Sequence, residues 1–227
     1  MFWQQDGEGD QQYQPPEDVV DLVFRLQGSY LALDHAFVLA EALRQHLDGA
    51  ICKSIGVLGV RMAESGNGWV RPEGENISMP LSRRARLVIR VRRDDLDDVA
   101  RICHQELQLG EQKVSVGDFT IRKLSTMGTL FSRAICCDES QSEDDFLQQV
   151  ALELGHMDIS VSKMICGKSQ QIAVKNESLF ARSLLVAGLK PRESVVLQRD
   201  GLGGEQLLGC GLFVAHKGID AVYDIQK

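Results

Sequence analysis

The segment Val19–Gly49, VVDLVFRLQGSYLALDHAFVLAEALRQHLDG, changes its hydrophobic period part-way along. Val20, Leu22, Phe24 and Leu26 recur at every second residue, which is the repeat of a half-buried strand. Beyond Asp34 the repeat lengthens, and Ala36, Ala40, Leu43 and Leu47 fall on one helical face. Asp34 is expected to cap this helix and Gly49 to stop it. A strand therefore leads straight into a helix.

The same alternation continues down the chain. Residues 55–63 and 85–92 read as strands on either side of a long glycine-containing excursion. Asp94 and Asp95 open a second helix, with Leu96, Val99, Cys103 and Leu107 on one face, and a strand near 112–123 closes the unit. The order β-α-β-β-α-β is the ferredoxin-like motif. The second half repeats it. A strand near 126–136 precedes a helix carrying Phe146, Val150 and Leu154, ended by Gly155. Strands near 158–166 and 171–187 follow, then a helix from Pro191 to Arg199, a glycine-rich loop, and a last strand over Leu212–Val214. The predicted fold class is α+β, with two tandem ferredoxin-like motifs over residues 18–124 and 125–217. A disordered acidic tail is expected at 1–17 and a short tail at 218–227.

Bulk properties narrow the function. The chain has 227 residues, 44% apolar and 25% charged, as in ordinary globular proteins. No apolar run approaches the roughly 18 residues of a membrane helix, and the start has neither the basic nor the apolar region of a secretory signal, so a cytoplasmic protein without a membrane partner is expected. Six scattered cysteines with no C-x-x-C predict reduced thiols, and neither a metal site nor another cofactor is expected. A net charge of −7 argues against indiscriminate binding to phosphate polymers but leaves room for a local basic site.

Such a site is visible in SRRARLVIRVRRDD (82–95). The strand period puts Arg84, Arg86, Arg90 and Arg92 on one face and Leu87, Ile89 and Val91 on the other. Four guanidinium groups along about 20 Å of strand match several backbone phosphates. A solvated edge that discourages aggregation is the alternative. Lys163, Lys168 and Lys175 form a second basic group.

The near-terminal GLGGEQLLGCGLFV (201–214) holds five glycines. A dinucleotide fingerprint is excluded, because Gln206 stands at the third glycine position and a strand follows. A P-loop around Gly167–Ser169 is excluded as well, since Ser162 occupies its first glycine position. Structural turns account for one or two of the five, and close backbone approach to a bulky anion would account for the cluster.

Of the five histidines, His104, His156 and His216 read as structural or exposed. His35 and His46 share a helical stripe with Leu39 and Ala42, about 16 Å apart and so too far to share a metal. Either could act alone as a general acid or base, or simply cover the core.

Together these residues resemble a known family. Two ferredoxin-like motifs, a histidine on the first helix, the opening DLVFRLQGSYLALDHAFVLAEALRQHL and the ending LVAGLKPRESVVLQRDGLGGEQLLGCGLFV are similar to the CRISPR repeat-RNA processing endoribonucleases, the sixth CRISPR-associated protein family, and most similar to its Myxan subtype. The resemblance implies metal-independent cutting of CRISPR precursor RNA within each repeat. In that reaction the ribose 2′-hydroxyl attacks the adjacent phosphate and leaves a cyclic phosphate. It implies that the product hairpin stays bound, with other effector-complex subunits as partners. Carried over residue by residue, the catalytic histidine is His46 or His35. His46 is favoured, at the helix end facing a loop with Lys53, and Tyr30, Ser29 and Lys53 are possible helpers. RNA contacts are expected from Arg84, Arg86, Arg90, Arg92, Lys53, Lys163 and Lys168. Gly203, Gly204 and Gly209 would contribute through backbone N–H groups, because Glu205 and Gln206 stand where relatives carry basic residues. A non-catalytic RNA-holding subunit, or a module that binds only proteins or small ligands, are the competing readings.

Overall fold

The computed structural model describes residues 13–61, 78–175 and 177–217, without the side chains of Arg61, Met79 and Lys168. The expected tail 218–227 lies outside these residues, as does most of the tail expected at 1–17. Of the remainder of that first tail, Tyr13 packs against Val19, Leu124 and Val195, and Glu17 pairs with Lys123.

The first half contains β1 (Val19–Gln27), β2 (Tyr30–Ala32), α1 (Ala36–His46), α2 (Gly49–Ser54), β3 (Gly56–Arg61), β4 (Ser78–Pro80), β5 (Arg86–Arg92), α3 (Leu96–Ala100), β6 (Glu106–Leu109) and β7 (Gln112–Lys123). Its main sheet is antiparallel in the order β3-β5-β1-β7-β6. Without the edge strand β6 this is the ferredoxin-like order. The second half contains β8 (Thr129–Cys136), α4 (Glu143–His156), β9 (Lys163–Val174), β10 (Glu177–Ala187), α5 (Pro191–Asp200) and β11 (Phe213–Ala215), with sheet order β11-β8-β10-β9. Both halves therefore carry the motif that the sequence predicted. Their cores are separate apolar clusters, one around Leu22, Phe24, Leu43 and Ile89, the other around Phe146, Leu184 and Phe213.

Several local expectations differ. Asp34 does not cap α1; His35 is the N-cap residue and makes no side-chain cap bond. Gly49 opens α2 rather than merely ending α1, and Asp48 caps it by accepting from the Ala50 N–H at 2.8 Å. The second helix is short, and Leu107 lies in β6 rather than on its face. Strands expected at 158–166 and 171–187 are one hairpin, 163–174 with 177–187, in register from Val174↔Glu177 to Lys163↔Ala187 apart from one shift.

The largest correction concerns Arg90. It lies on the predicted face of β5, but that end of the face is covered by the second half, and Arg90 is only 4% exposed. Its Nε donates to Asp21 Oδ1 at 2.8 Å and its Nη2 to Asp21 Oδ2 at 3.3 Å. Its Nη1 donates across the domain boundary to the carbonyls of Gln198 at 2.7 Å and Phe213 at 2.9 Å. Arg122 completes the cluster with a 2.8 Å contact to Asp21. Arg90 is thus a clamp between halves, not an RNA contact. A charge removed from water persists only when its partners repay the desolvation, and four acceptor contacts do so here.

The connection between halves is fixed as well. Ser194 donates its hydroxyl to the carbonyls of Ser125 and Met127, and the Gln198 amide both donates to Ser125 O and accepts from Ser125 N. Arg90→Ala leaves the buried Asp21 carboxylate with Arg122 alone and the Gln198 and Phe213 carbonyls without their shared donor, so it should cost about 3–5 kcal/mol, read as a lowered melting temperature with one coupled transition for both halves.

Candidate active site

The two halves meet at a cleft of about 580 Å³. One wall is the end of α1 and all of α2, bringing Arg44, Gly49, Cys52 and Lys53; the other is the loop Gly203–Leu207. Arg44 and Lys53 each stand in the last turn of their helix, where the dipole favours cations. Arg44 is paired with Glu41 on the helix surface.

The glycine loop serves two purposes. Leu207 and Leu208 enter the core of the first half, each worth about 1.5–3 kcal/mol of apolar burial. This brings backbone against backbone, and a β-carbon at Gly209 would stand 2.9 Å from the Val57 carbonyl, while one at Gly211 would overlap the Leu202 carbonyl. Both have positive φ, +84° and +72°. Gly209 is buried and structural, which corrects its assignment to RNA. Gly203 and Gly204 are different: they line the cleft, are exposed, and would place a β-carbon in open space. Their backbone is what a ligand can approach.

The two candidate histidines separate cleanly. His35 is 4% exposed. Its Nδ1–H donates to Ala32 O at 2.8 Å and its Nε2 accepts from the Val60 N–H at 3.4 Å, so both nitrogens are engaged. Burial, helped by the nearby Arg133 guanidinium, pushes its pKa below the ordinary imidazole value. His35 is a neutral structural residue. His46 is exposed at the C-terminal end of α1, two residues beyond Arg44. Its Nδ1 lies 2.9 Å from Ala42 O; that carbonyl can only accept, so in the neutral ring Nδ1 carries the hydrogen and Nε2 the lone pair.

The other expected contacts are dispersed. Lys53 is in the cleft. Arg86 and Arg92 are the end residues of β5, whereas Arg84, expected on the strand, stands in the turn before it, and Lys163 is exposed at the start of the edge strand β9. The Lys168 side chain lies outside the described residues. Ser29 and Tyr30, suggested as helpers, are not among the cleft residues. Arg44 went unnoticed in the sequence; its position two residues before His46 was the available signal. Among the described residues no group of three or more His, Cys, Asp or Glu side chains could hold a metal ion, and no helix is long and apolar enough to cross a membrane.

Residues 20–218 match the family model described as Cas6 Crispr. The chain belongs to the Cas6 family. A curated relative, CRISPR-associated endonuclease Cas6 of Myxococcus xanthus (strain DK1622), is 24% identical over 203 residues, covering 86% of this chain and 80% of that protein. The structure reported as a Cas6-related gene from Pyrococcus furiosus aligns with a TM-score of 0.63 at 11% identity, over 86% of this chain and 97% of that one. It shares the two-motif fold. A structure of Thermus thermophilus Cse3 bound to an RNA representing a pre-cleavage complex aligns over 86% of this chain and 98% of that one, with a TM-score of 0.43 and 13% identity.

Two outcomes follow for this Cas6 chain. Gly211→Ala should cost about 2 kcal/mol or more in left-handed strain and overlap, roughly 4–8 °C in melting temperature, while Gly204→Ala should stay within about 0.5 kcal/mol. Because His35 is held neutral, the unfolded chain binds the extra proton below about pH 6.5. Stability from this group is full above that pH and falls as acidification proceeds toward the lowered folded value. Chemical denaturation at stepped pH should show that loss, and His35→Gln should flatten it.

Proposed function

We propose that this chain is a metal-independent endoribonuclease that cuts CRISPR precursor RNA within its repeats, with His46 as the proton-transfer residue. The observation that carries the reading is the His46 ring: Nδ1 is tied to Ala42 O, which leaves the Nε2 lone pair of the neutral ring for chemistry at the exposed end of α1, two residues beyond the cleft-lining Arg44. Cas6 membership and the endonuclease named in Myxococcus xanthus support the substrate class.

In this reaction His46 Nε2 takes the proton of a ribose 2′-hydroxyl, whose oxygen then bonds to the adjacent phosphorus. The bond from phosphorus to the 5′ oxygen breaks, and that oxygen takes a proton from water. A cyclic phosphate and a 5′-hydroxyl result. Charge growing on the non-bridging oxygens is met by Lys53, Arg44 and the backbone N–H groups at Gly203 and Gly204. Glu205 and Gln206 add no cation to the loop, so backbone donors must act there. Retention of the cut hairpin, with other effector subunits joining it, belongs to the same reading.

The test is single-turnover cleavage of a repeat transcript in EDTA. His46→Ala should slow cutting by about 10²–10⁴-fold while the dissociation constant stays within twofold. His35→Ala should instead lower the melting temperature. Cutting undiminished in His46→Ala, or restored only by added magnesium, removes the mechanism; tight binding without cutting by the unsubstituted chain favours a holding subunit.

A further inference from the structure

A second cavity, of about 480 Å³, opens away from the cleft at the other end of the first sheet. It is lined by Arg25, Arg83 and Arg86 together with Gln27, Gly28 and Leu81, and no carboxylate is among its lining residues. Ile55 lines the cleft, and four residue steps along β5, from Arg90 opposite Gly56 to Arg86 opposite Arg61, put the cavity about 13 Å further along the sheet.

The cavity is constructed rather than incidental. Arg25 stands directly opposite Arg86 in the β1–β5 pairing, so their side chains share a face. Like charges at such positions destabilise a sheet unless something of opposite sign relieves them. Among the described residues no ion pair involves Arg25, Arg83 or Arg86. Arg86 is held in place through Nη1, which donates to the carbonyls of Arg83 at 3.1 Å and Ala85 at 2.8 Å. The turn carrying Arg83 is closed by Ala85 N donating to Ser82 O at 2.9 Å, with Arg84 N donating to Ser82 Oγ at 3.2 Å. In a chain of net charge −7, three guanidinium groups line this cavity, and among the described residues none of them has a carboxylate partner.

An aromatic ring completes the pattern. Tyr30 is 52% exposed, two residues beyond Gly28, and is paired with Pro80 next to Leu81. Exposed aromatics beside a cationic groove are platforms on which unpaired bases stack.

We infer that this cavity is a second RNA site, in which Arg25, Arg83 and Arg86 hold backbone phosphates of the unpaired strand flanking a repeat hairpin and Tyr30 stacks on one of its bases. The inference rests on the proposed function. It adds an anchor remote from the reacting phosphate, which fixes which part of a long transcript enters the cleft.

The probe is a fluorescently labelled uridine decamer, titrated with the full chain by anisotropy at several salt concentrations. Arg25→Gln with Arg83→Gln should weaken binding by about tenfold or more and lower the slope of log K against log salt by about 1.4, two phosphates' worth for a single strand. Tyr30→Ala should weaken it several-fold with the slope unchanged. Melting curves for these exposed positions should match the unsubstituted chain. Decamer affinity within twofold for both variants overturns the inference, as does a loss equal to that on a blunt RNA duplex. If the unsubstituted chain cuts repeat RNA in that case, the proposed function survives alone; if it binds and cuts no RNA, both fall.

Discussion

The buried Arg90–Asp21 contact is the constraint on which the arrangement of this protein depends. Its ions are nearly removed from water, and the guanidinium is satisfied only when two carbonyls arrive from the second half. One residue of β5 thereby measures whether α5 and β11 are seated. The cleft lies at the same junction, since its walls come from opposite halves. Correct docking and correct site geometry are one event.

The glycine loop shows how one short segment can carry both packing and chemistry. Its leucines anchor in the neighbouring core and its inner glycines let main chains touch, while Gly203 and Gly204 leave backbone bare to the cleft. At the end of α1, His46 owes its tautomer to a carbonyl one helical turn back rather than to a carboxylate. Ser194 and Gln198 hold the chain between the halves in hydrogen bonds, which restrains how the halves that supply the two walls sit together. An anion entering such a site would meet donors that need little rearrangement, which is where electrostatic stabilisation is most effective.

Much of the fold was legible because hydrophobic period reports local geometry directly. Val20 to Leu26 alternate and β1 is there; Pro191 and Gly201 bracket α5 as turn chemistry requires. What failed was non-local. The strand period correctly placed Arg90 on the face opposite Leu87 and Ile89, but no period says that another domain covers half of that face. His35 and His46 occupy one stripe and looked equivalent, yet β3 passes over only the first. The site was partly legible: Lys53, Gly203 and Gly204 do line one cleft, whereas Gly209 was misassigned because its glycine is needed by the Val57 carbonyl, 152 positions earlier by the numbering of the chain. Arg44 was missed since its one signal, a place two residues before His46, does not set it apart from any other cation on an amphipathic helix until its neighbours in space are known.

The order in which these groups are made has a consequence for biosynthesis. Arg90 and the apolar pocket for Leu207 and Leu208 leave the ribosome long before Gln198, the two leucines and Phe213, so the nascent first half carries a guanidinium nitrogen without its acceptors and an open seam until those residues are made. A prematurely released fragment ending before that point retains both defects and has no cleft. The surface that proteases and chaperones would meet on such a fragment is the same one that, once sealed, forms the cleft.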